Sequence, residues 1–498
     1  MIDYHALLPE FILGATVLVV LGVDLVAKQK YYAAVAGMIG LFAAFVPLVT
    51  LGLCDSLTFC DGSLPREMFS GSYVVDNYAL VLKGLFIATA FVALLLSVAY
   101  LESDRYYEGE FYFLLLSAAL GAVLMSSSRD FITMIVALEL VSGPGFLLAG
   151  WRKADEKSNE AALKFFIVGV AALSLLLLGV SLIYGLTGTQ SFVGISEAAA
   201  GVSDLPLFTL GLIFILLGFG FKVSAVPFHY WTPDTYEGAP TPVTAWLAVG
   251  SKTAGFVALL SVAYFAFPDQ SDIWGPMFWL VAVASMTVGN VVAIKQTNIV
   301  RLLGYSSIAQ AGFMLVPFGA AAAAGSDLSS AFAATITYLL IYAGMTLGAF
   351  GVVIAVSQRI GSTELKDWTG LFTYAPGLAG LLAIFFLSLA GIPPLAGWFA
   401  KLVMFSSAIA VDDAWGYSIA VIAALNSVVA FVYYAKVVKV TFFDPVPETV
   451  DAGRRLEVAP TLRLALALTA ATVIVFGIFP SLITDLVDLT TEALATGF

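Results

Sequence analysis

Five lysines and one glutamate interrupt stretches of this chain that are otherwise dominated by apolar residues: Lys83, Lys164, Lys222, Lys252, Lys401 and Glu139. An ionisable group held in hydrocarbon is costly, so it faces other protein groups, pairs, or gives up its charge. Glu139 lies in Phe-Ile-Thr-Met-Ile-Val-Ala-Leu-Glu-Leu, residues 131–140, and calls for a cationic partner. Lys222 is the strongest single signal. It precedes Pro227 in Gly-Phe-Lys-Val-Ser-Ala-Val-Pro-Phe-His, and because proline has no N–H, the carbonyl of Val223 loses its helical partner. Burial favours a neutral amine and a nearby carboxylate favours an ammonium, so a lysine in such a place exchanges a proton as its neighbours move.

Lys252 lies midway along its apolar segment, and Lys401 follows Pro393-Pro394 by about two helical turns. Both are too deep to snorkel to an interface. Lys164 is nearer a segment end, where snorkelling competes, and Lys83 is read as an interfacial lysine. Gln310 can hold hydrogen-bonded water but cannot titrate. His229, beside Tyr230 and Trp231, is as readily an interfacial cap as a proton-uptake group. Trp231, Trp246, Trp279 and Trp398 read as interface belt or packing. Taken together, Glu139, Lys164, Lys222, Lys252, Gln310 and Lys401 are expected to form a polar string that relays protons, with static salt bridges as the plain alternative.

The rest of the chain must position these groups. Of 498 residues, 60% are hydrophobic and 11% charged, and mean hydropathy is +0.98. A water-soluble fold could not bury so much apolar surface, so the solvent is lipid. With about 20 apolar residues per crossing, fourteen helical segments emerge, roughly 6–26, 31–53, 78–100, 110–127, 129–149, 159–185, 205–228, 241–266, 274–294, 299–319, 330–356, 378–410, 413–440 and 461–484. The runs are long and continuous, without the alternation of a membrane barrel. Met1-Ile2-Asp3-Tyr4-His5 lacks the positive region of a signal peptide, so the first run is read as a retained helix.

Fifteen basic residues fall at the ends of odd-numbered segments: Lys28, Lys30, Arg105, Arg152, Lys153, Lys157, Lys295, Arg301, Arg359, Lys366, Lys436, Lys439, Arg454, Arg455 and Arg463. Only Arg66 and Arg129 lie on the other side. This asymmetry places the odd ends in the cytoplasm and both termini on the outer, periplasmic side of a bacterial inner membrane.

Segments 4–8 and 9–13 form two blocks of five, so the second is inverted relative to the first. The seventh segment is interrupted at Gly218, Gly220 and Pro227, and the twelfth at Gly391-Ile-Pro-Pro394. Matching broken helices mark inverted-repeat transporters with ion sites at the breaks. The expected organisation is therefore 1–109 for three N-terminal helices, 110–270 and 271–445 for the repeats, and 446–498 for the last helix.

The formal charge of −12 and the absence of any basic run exclude nucleic-acid binding. Two histidines and two cysteines, Cys54 and Cys60, offer no metal, haem or iron–sulfur spacing. The cysteines share one polar loop and can pair if it faces an oxidising compartment.

Several stretches carry a family resemblance. They are Asn159-Glu-Ala-Ala-Leu-Lys164-Phe-Phe, Lys222-Val-Ser-Ala-Val-Pro227-Phe-His-Tyr-Trp-Thr-Pro-Asp-Thr-Tyr236-Glu-Gly-Ala-Pro240, Arg301-Leu-Leu-Gly-Tyr-Ser-Ser307 and Gly391-Ile-Pro-Pro-Leu-Ala-Gly-Trp-Phe-Ala-Lys401. Over residues 75–480 the chain resembles the antiporter-like subunits of complex I, and within that group subunit N. Sister subunits L and M and the Mrp antiporters carry a Trp-Leu-Pro-Asp-Ala-His type sequence where this chain has Trp231-Thr-Pro-Asp-Thr-Tyr236. Lysine rather than glutamate at 401 argues against M, and the lack of a long lateral helix after the fourteenth segment argues against L.

The resemblance implies an all-α fold of 14 transmembrane helices, with two inverted five-helix repeats and discontinuous helices 7 and 12. It matches Glu139, Lys164, Lys222, Lys252 and Lys401 to the family's channel residues. Gln310 departs from it, because many subunit N sequences have histidine there. The function implied is proton translocation within a respiratory NADH:quinone oxidoreductase. Other membrane subunits of complex I, including antiporter-like sisters, are the partners implied, along with lipid, protons, and quinone through the complex. Flavin and iron–sulfur clusters are expected in partner subunits and no cofactor in this chain. A cation/proton antiporter or membrane-bound hydrogenase module, and a non-conducting scaffold of the membrane arm, are the competing readings.

Overall fold

The computed structural model describes residues 3–54, 63–102, 109–321, 328–447 and 457–496. Helices α1 (Leu8–Val26), α2 (Tyr31–Gly52) and α3 (Asn77–Leu101) come first, with an antiparallel hairpin, β1 (Arg66–Met68) and β2 (Tyr73–Val75), between the last two. Then follow α4 (Glu110–Ser127), α5 (Phe131–Ala149), α6 (Glu156–Thr187), the short α7 (Phe192–Ala199), α8 (Pro206–Lys222) and α9 (Trp231–Gly238). One helix spans Thr241–Ala266, built from α10 (Thr241–Trp246) and α11 (Lys252–Ser261), each followed by a π-helical stretch. Next are α12 (Ser271–Ile294), α13 (Ile299–Met314), α14 (Val316–Ala320), α15 (Leu328–Ile360), α16 (Leu371–Tyr374) and α17 (Pro376–Ala390). Last come α18 (Ala396–Ile409), α19 (Ala414–Phe443), α20 (Pro460–Ile478) and α21 (Ser481–Thr496).

Aspartate and asparagine caps set several helix starts by accepting first-turn amides. Asp76 accepts from Ala79, Asp130 from Thr133, Asn298 from Val300, and Asp413 from Gly416. The helix over Thr241–Ala266 is buried along its whole length and α15 almost so; they form the centre. Around them, α1, α2, α6 and α19 expose side chains such as Leu18, Phe42, Ile167 and Val428. Outward apolar residues suit a bilayer, where helix contacts depend on close packing instead. Glycines supply that closeness. A Cβ on Gly179 would lie 2.6 Å from the Gly211 carbonyl across α6 and α8, and one on Gly289 2.6 Å from the Ala309 amide across α12 and α13.

The all-helical class is as expected, with differences in detail. Among the described residues, twelve helices are long and apolar enough to cross a membrane. As expected, the seventh and twelfth segments are discontinuous, their helices stopping at breaks. In the first, α8 stops at Lys222, and the chain turns through Ser224 at φ +61° before Pro227. In the second, α17 ends at Ala390 with Gly391 at φ +89°, a left-handed cap that only glycine takes readily, and α18 starts after the prolines. The last segment ends at Ile478 rather than 484, because Pro480 separates α20 from α21. The β-hairpin was not expected. Arg105, Arg454, Arg455 and Cys60 lie outside the described residues; Cys54 is buried and its sulfur accepts from Arg66 at 3.0 Å.

Candidate functional site

The two breaks and the central helix bury Lys222, Lys252 and Lys401, each with its amine on a polar partner. At the first break, α8 delivers Lys222, only 4% exposed, against α5. Its ammonium donates to Ser142 Oγ at 2.7 Å. Ser142 lies one turn beyond Glu139, which is partly buried and reaches Lys222 electrostatically rather than as a direct ion pair. The stem of Lys222 packs on Gly255 of α11, where a Cβ would stand 2.9 Å from Lys222 Cγ. Gly255 is one turn beyond Lys252, so the first break leans directly on the central helix.

Lys252 is 1% exposed and sits just after a π-helical stretch, the kind of irregularity that frequently marks functional positions. Its ammonium donates to the Ser307 carbonyl at 2.7 Å and also to the Ser307 hydroxyl. Tyr342 of α15 donates to that hydroxyl at 3.0 Å, and Tyr236 of α9 lies 3.4 Å from it.

The neighbouring Ser306 has its Oγ 2.5 Å from the Tyr434 hydroxyl of α19. Gln310 is fully buried one turn on. Its amide donates to Tyr434 at 3.2 Å and to the Leu389 carbonyl at 3.1 Å, and its oxygen accepts from Tyr338 at 2.6 Å. At the second break, Lys401 donates to the Ala390 carbonyl at 2.8 Å and lies 4.8 Å from the Phe313 ring centre. Leu389 and Ala390 are the last residues of α17, whose carbonyls have no helical partner and whose dipole end attracts a cation. Gln310 and Lys401 thus hold adjacent carbonyls of one helix end.

Lys164 is placed elsewhere. It pairs with Glu160 at 2.5 Å and Asp234 at 2.6 Å, and 42% of its side chain is exposed. Asp234 also pairs with Arg301 at 2.7 Å, Arg301 with Glu237 at 3.1 Å, and Glu237 with Lys157 at 2.9 Å. This cluster ties α6, α9 and α13 together. Burial pushes the Asp234 carboxyl up, but hydrogen bonds from Lys164 and Arg301 outweigh it and hold the group below its ordinary value. Glu237 is lowered in the same way, against burial, by Lys157 and Arg301. His229 is held below the usual histidine value by burial, which outweighs a backbone hydrogen bond at Pro227.

Lys83 is not interfacial; it is fully buried and pairs with Glu10 at 2.6 Å. Glu10 also accepts from Tyr73 at 2.7 Å. Trp231 stacks on Phe165 at 4.4 Å and Trp246 is fully buried, so these two belong to packing. Sequence reasoning missed Ser142, Ser306, Ser307, Tyr338, Tyr342 and Tyr434. Only the general presence of hydroxyls and amides in the tenth and eleventh segments pointed toward most of them.

The sequence profile of the family described as NADH:quinone oxidoreductase/Mrp antiporter, transmembrane, matches residues 128–427. The NADH-quinone oxidoreductase subunit N 2 of Streptomyces griseus is 39% identical over 493 residues, covering 94% of this chain and 90% of its own. Subunit N of Trichlorobacter lovleyi is 37% identical, covering 97% and 96%. The chain belongs to the antiporter-like subunit N family of NADH-quinone oxidoreductase, complex I. It is thus a multi-pass subunit of the complex I membrane arm, beside other membrane subunits. A chain in the respiratory complex I of Thermus thermophilus with bound aureothin is 31% identical, with TM-score 0.77 over 96% of this chain and 98% of that one. A chain of the Mrp complex from Dietzia, 20% identical with TM-score 0.83 over 99% and 98%, shares the fold. Among the described residues, no group of three or more histidine, cysteine or acidic side chains is placed to hold a metal.

Proposed function

We propose that this subunit carries protons across a bacterial inner membrane along a buried track, from Glu139 and Lys222 through Lys252 and Gln310 to Lys401. The observation that carries this reading is the run of hydrogen-bonding groups between Lys252 and Lys401: Ser307, Ser306, Tyr434, Gln310 and the two carbonyls ending α17. A hydroxyl both donates and accepts, so each can pass a proton on as it receives one. Gln310 bridges as an amide and fixes the spacing for water between its neighbours.

Movement of charge in a partner subunit changes the separation of Glu139 and Lys222. When the carboxylate withdraws, Lys222 favours its neutral form and yields a proton toward Lys252. A change of about 3 units in a lysine's proton affinity is worth roughly 4 kcal/mol. Moving one charge against 100 mV costs about 2.3 kcal/mol, so one such swing suffices for a step. Lys401 receives the proton beside the free carbonyls of α17 and releases it outward.

Residues 110–270 and 271–445 then act as two inverted halves, with both termini on the outer side, consistent with the distribution of loop cations. Lys164 belongs to the clasp that holds α9 against α6 and α13, and so tunes the relay by positioning Tyr236 beside Ser307. Redox centres belong to partner subunits. Lys222→Ala tests the proposal in vesicles holding the whole complex: assembly persists and protons pumped per electron fall. A normal ratio would take Lys222 out of the path.

A further inference from the structure

Of the two loop cations on the side opposite the other fifteen, Arg66 pairs with Asp3 at 2.7 Å near the chain's start. Arg129 is placed differently. It precedes the N-cap of α5, is 2% exposed, and bonds Asp76 at 2.7 Å. It also donates to the carbonyls of Ser126 and Ser128, each at 3.2 Å. Its guanidinium carbon lies 5.4 Å from the Tyr78 ring centre and 4.7 Å from that of Phe265. Tyr78 in turn donates to the Val257 carbonyl at 3.2 Å and sits 3.4 Å from Ser261 Oγ.

Val257 and Ser261 belong to α11, the helix that carries Lys252. At a rise of about 1.5 Å per residue they stand roughly 7.5 and 13.5 Å beyond that lysine along the axis. Among the described residues, the hydroxyls of Thr253 and of Tyr264, farther along the same Thr241–Ala266 helix, are buried without a protein partner. Buried hydroxyls left in this way invite water. Water at these two hydroxyls would give a proton on Lys252 a short polar way out along α11, with Arg129 at its end. A guanidinium does not release its proton, and a fixed buried arginine excludes cations from pores.

We propose that Arg129 is an electrostatic seal closing the outer end of the first half of the bundle, so that a proton on Lys252 passes only toward Lys401. The proposal rests on the relay reading above. Asp76 offsets part of the arginine's field, so the seal depends on the cation and not on the ion pair as such.

The test uses the whole complex in vesicles. Arg129→Gln is compared with Asp76→Asn and with the double variant Asp76→Asn/Arg129→Gln, in which a neutral amide pair of similar size replaces the ions and keeps the bundle foldable. Electron transfer is expected at the wild-type rate in all assembled forms. After turnover is stopped, the pH gradient should decay about tenfold faster in Arg129→Gln, the order expected for loss of a unit charge about 10 Å away at an effective dielectric near 20, and faster than wild type by a smaller factor in the double variant, where the loss of Asp76 offsets part of that change. Asp76→Asn should hold its gradient, and adding Lys252→Met to the double variant should restore retention. A double variant that holds its gradient like the wild type, or an Asp76→Asn form that leaks as fast as the double, would overturn the seal. Lys222→Ala in the same vesicles separates the two proposals: if it pumps normally the relay fails, whereas if it does not pump and the double variant stays tight, only the seal fails.

Discussion

Gln310→Leu attacks the junction where the relay changes from hydroxyls to carbonyls. In the native chain this side chain makes three hydrogen bonds, to Tyr434, Leu389 and Tyr338, in a site with no solvent exposure. Leucine fills similar space but leaves the Tyr338 hydroxyl and the Leu389 carbonyl without this partner. Each orphaned buried group costs about 1–3 kcal/mol, partly offset by the added apolar contact. If about 3 kcal/mol of this falls on the step between Tyr434 and Lys401, that step slows by roughly a hundredfold. Electron transfer can continue while outward proton delivery lags, so the ratio of protons pumped to electrons transferred should drop in vesicles holding the whole complex. Gln310→His replaces the bridge with a group that titrates between about pH 5 and 8. It should retain pumping and add a pH dependence in that window. A Gln310→Leu complex with the wild-type ratio at full electron-transfer rate would refute the reasoning, because no proton could then depend on the junction.

Other outcomes follow from the same geometry. Ser142→Ala removes the acceptor 2.7 Å from Lys222; the ammonium should settle on Glu139, and pumping should slow while assembly is kept, as read by vesicle acidification. Gly255→Ala places a Cβ 2.9 Å from Lys222 Cγ, which should cost about 1–3 kcal/mol through overpacking and lower the thermal midpoint of the purified complex. Asp234→Asn breaks two partly exposed ion pairs, so after allowance for solvent screening about 1 kcal/mol is expected in the same melt. The Asp234 carboxyl is lowered on folding. Its contribution is therefore full above its ordinary value near 3.8 and is lost as pH falls through the lower folded one. The wild type should lose that increment on strong acidification while Asp234→Asn does not.

The lysines at 222, 252 and 401 were legible because a charge in an apolar run has few explanations. The breaks beside two of them were legible from Pro227 and from Gly391 with its prolines. The hydroxyls that meet Lys222 and Lys252 were not. A serine or threonine in a membrane helix usually bonds the carbonyl one turn back, as Thr335 does to Ala331 at 3.1 Å. Nothing local distinguishes it from Ser307, which faces Lys252 across the bundle. Lys164 read as nearer a segment end, where snorkelling competes, but its partner was hidden: α6 turns it toward Asp234 on α9, a contact seventy residues away. Lys83 was misjudged for a related reason: its partner, Glu10, lies in the first turn of α1, where an acid reads as a helix-end residue. The hairpin escaped because strands of three residues carry almost no periodicity.

The central claim is that protons cross through the buried amine of Lys252. Protons pumped per electron, measured in vesicles containing the complex with Lys252→Met, test this most directly. The account predicts electron transfer that continues with a ratio lower by this subunit's share. A ratio equal to that of the wild type would contradict it.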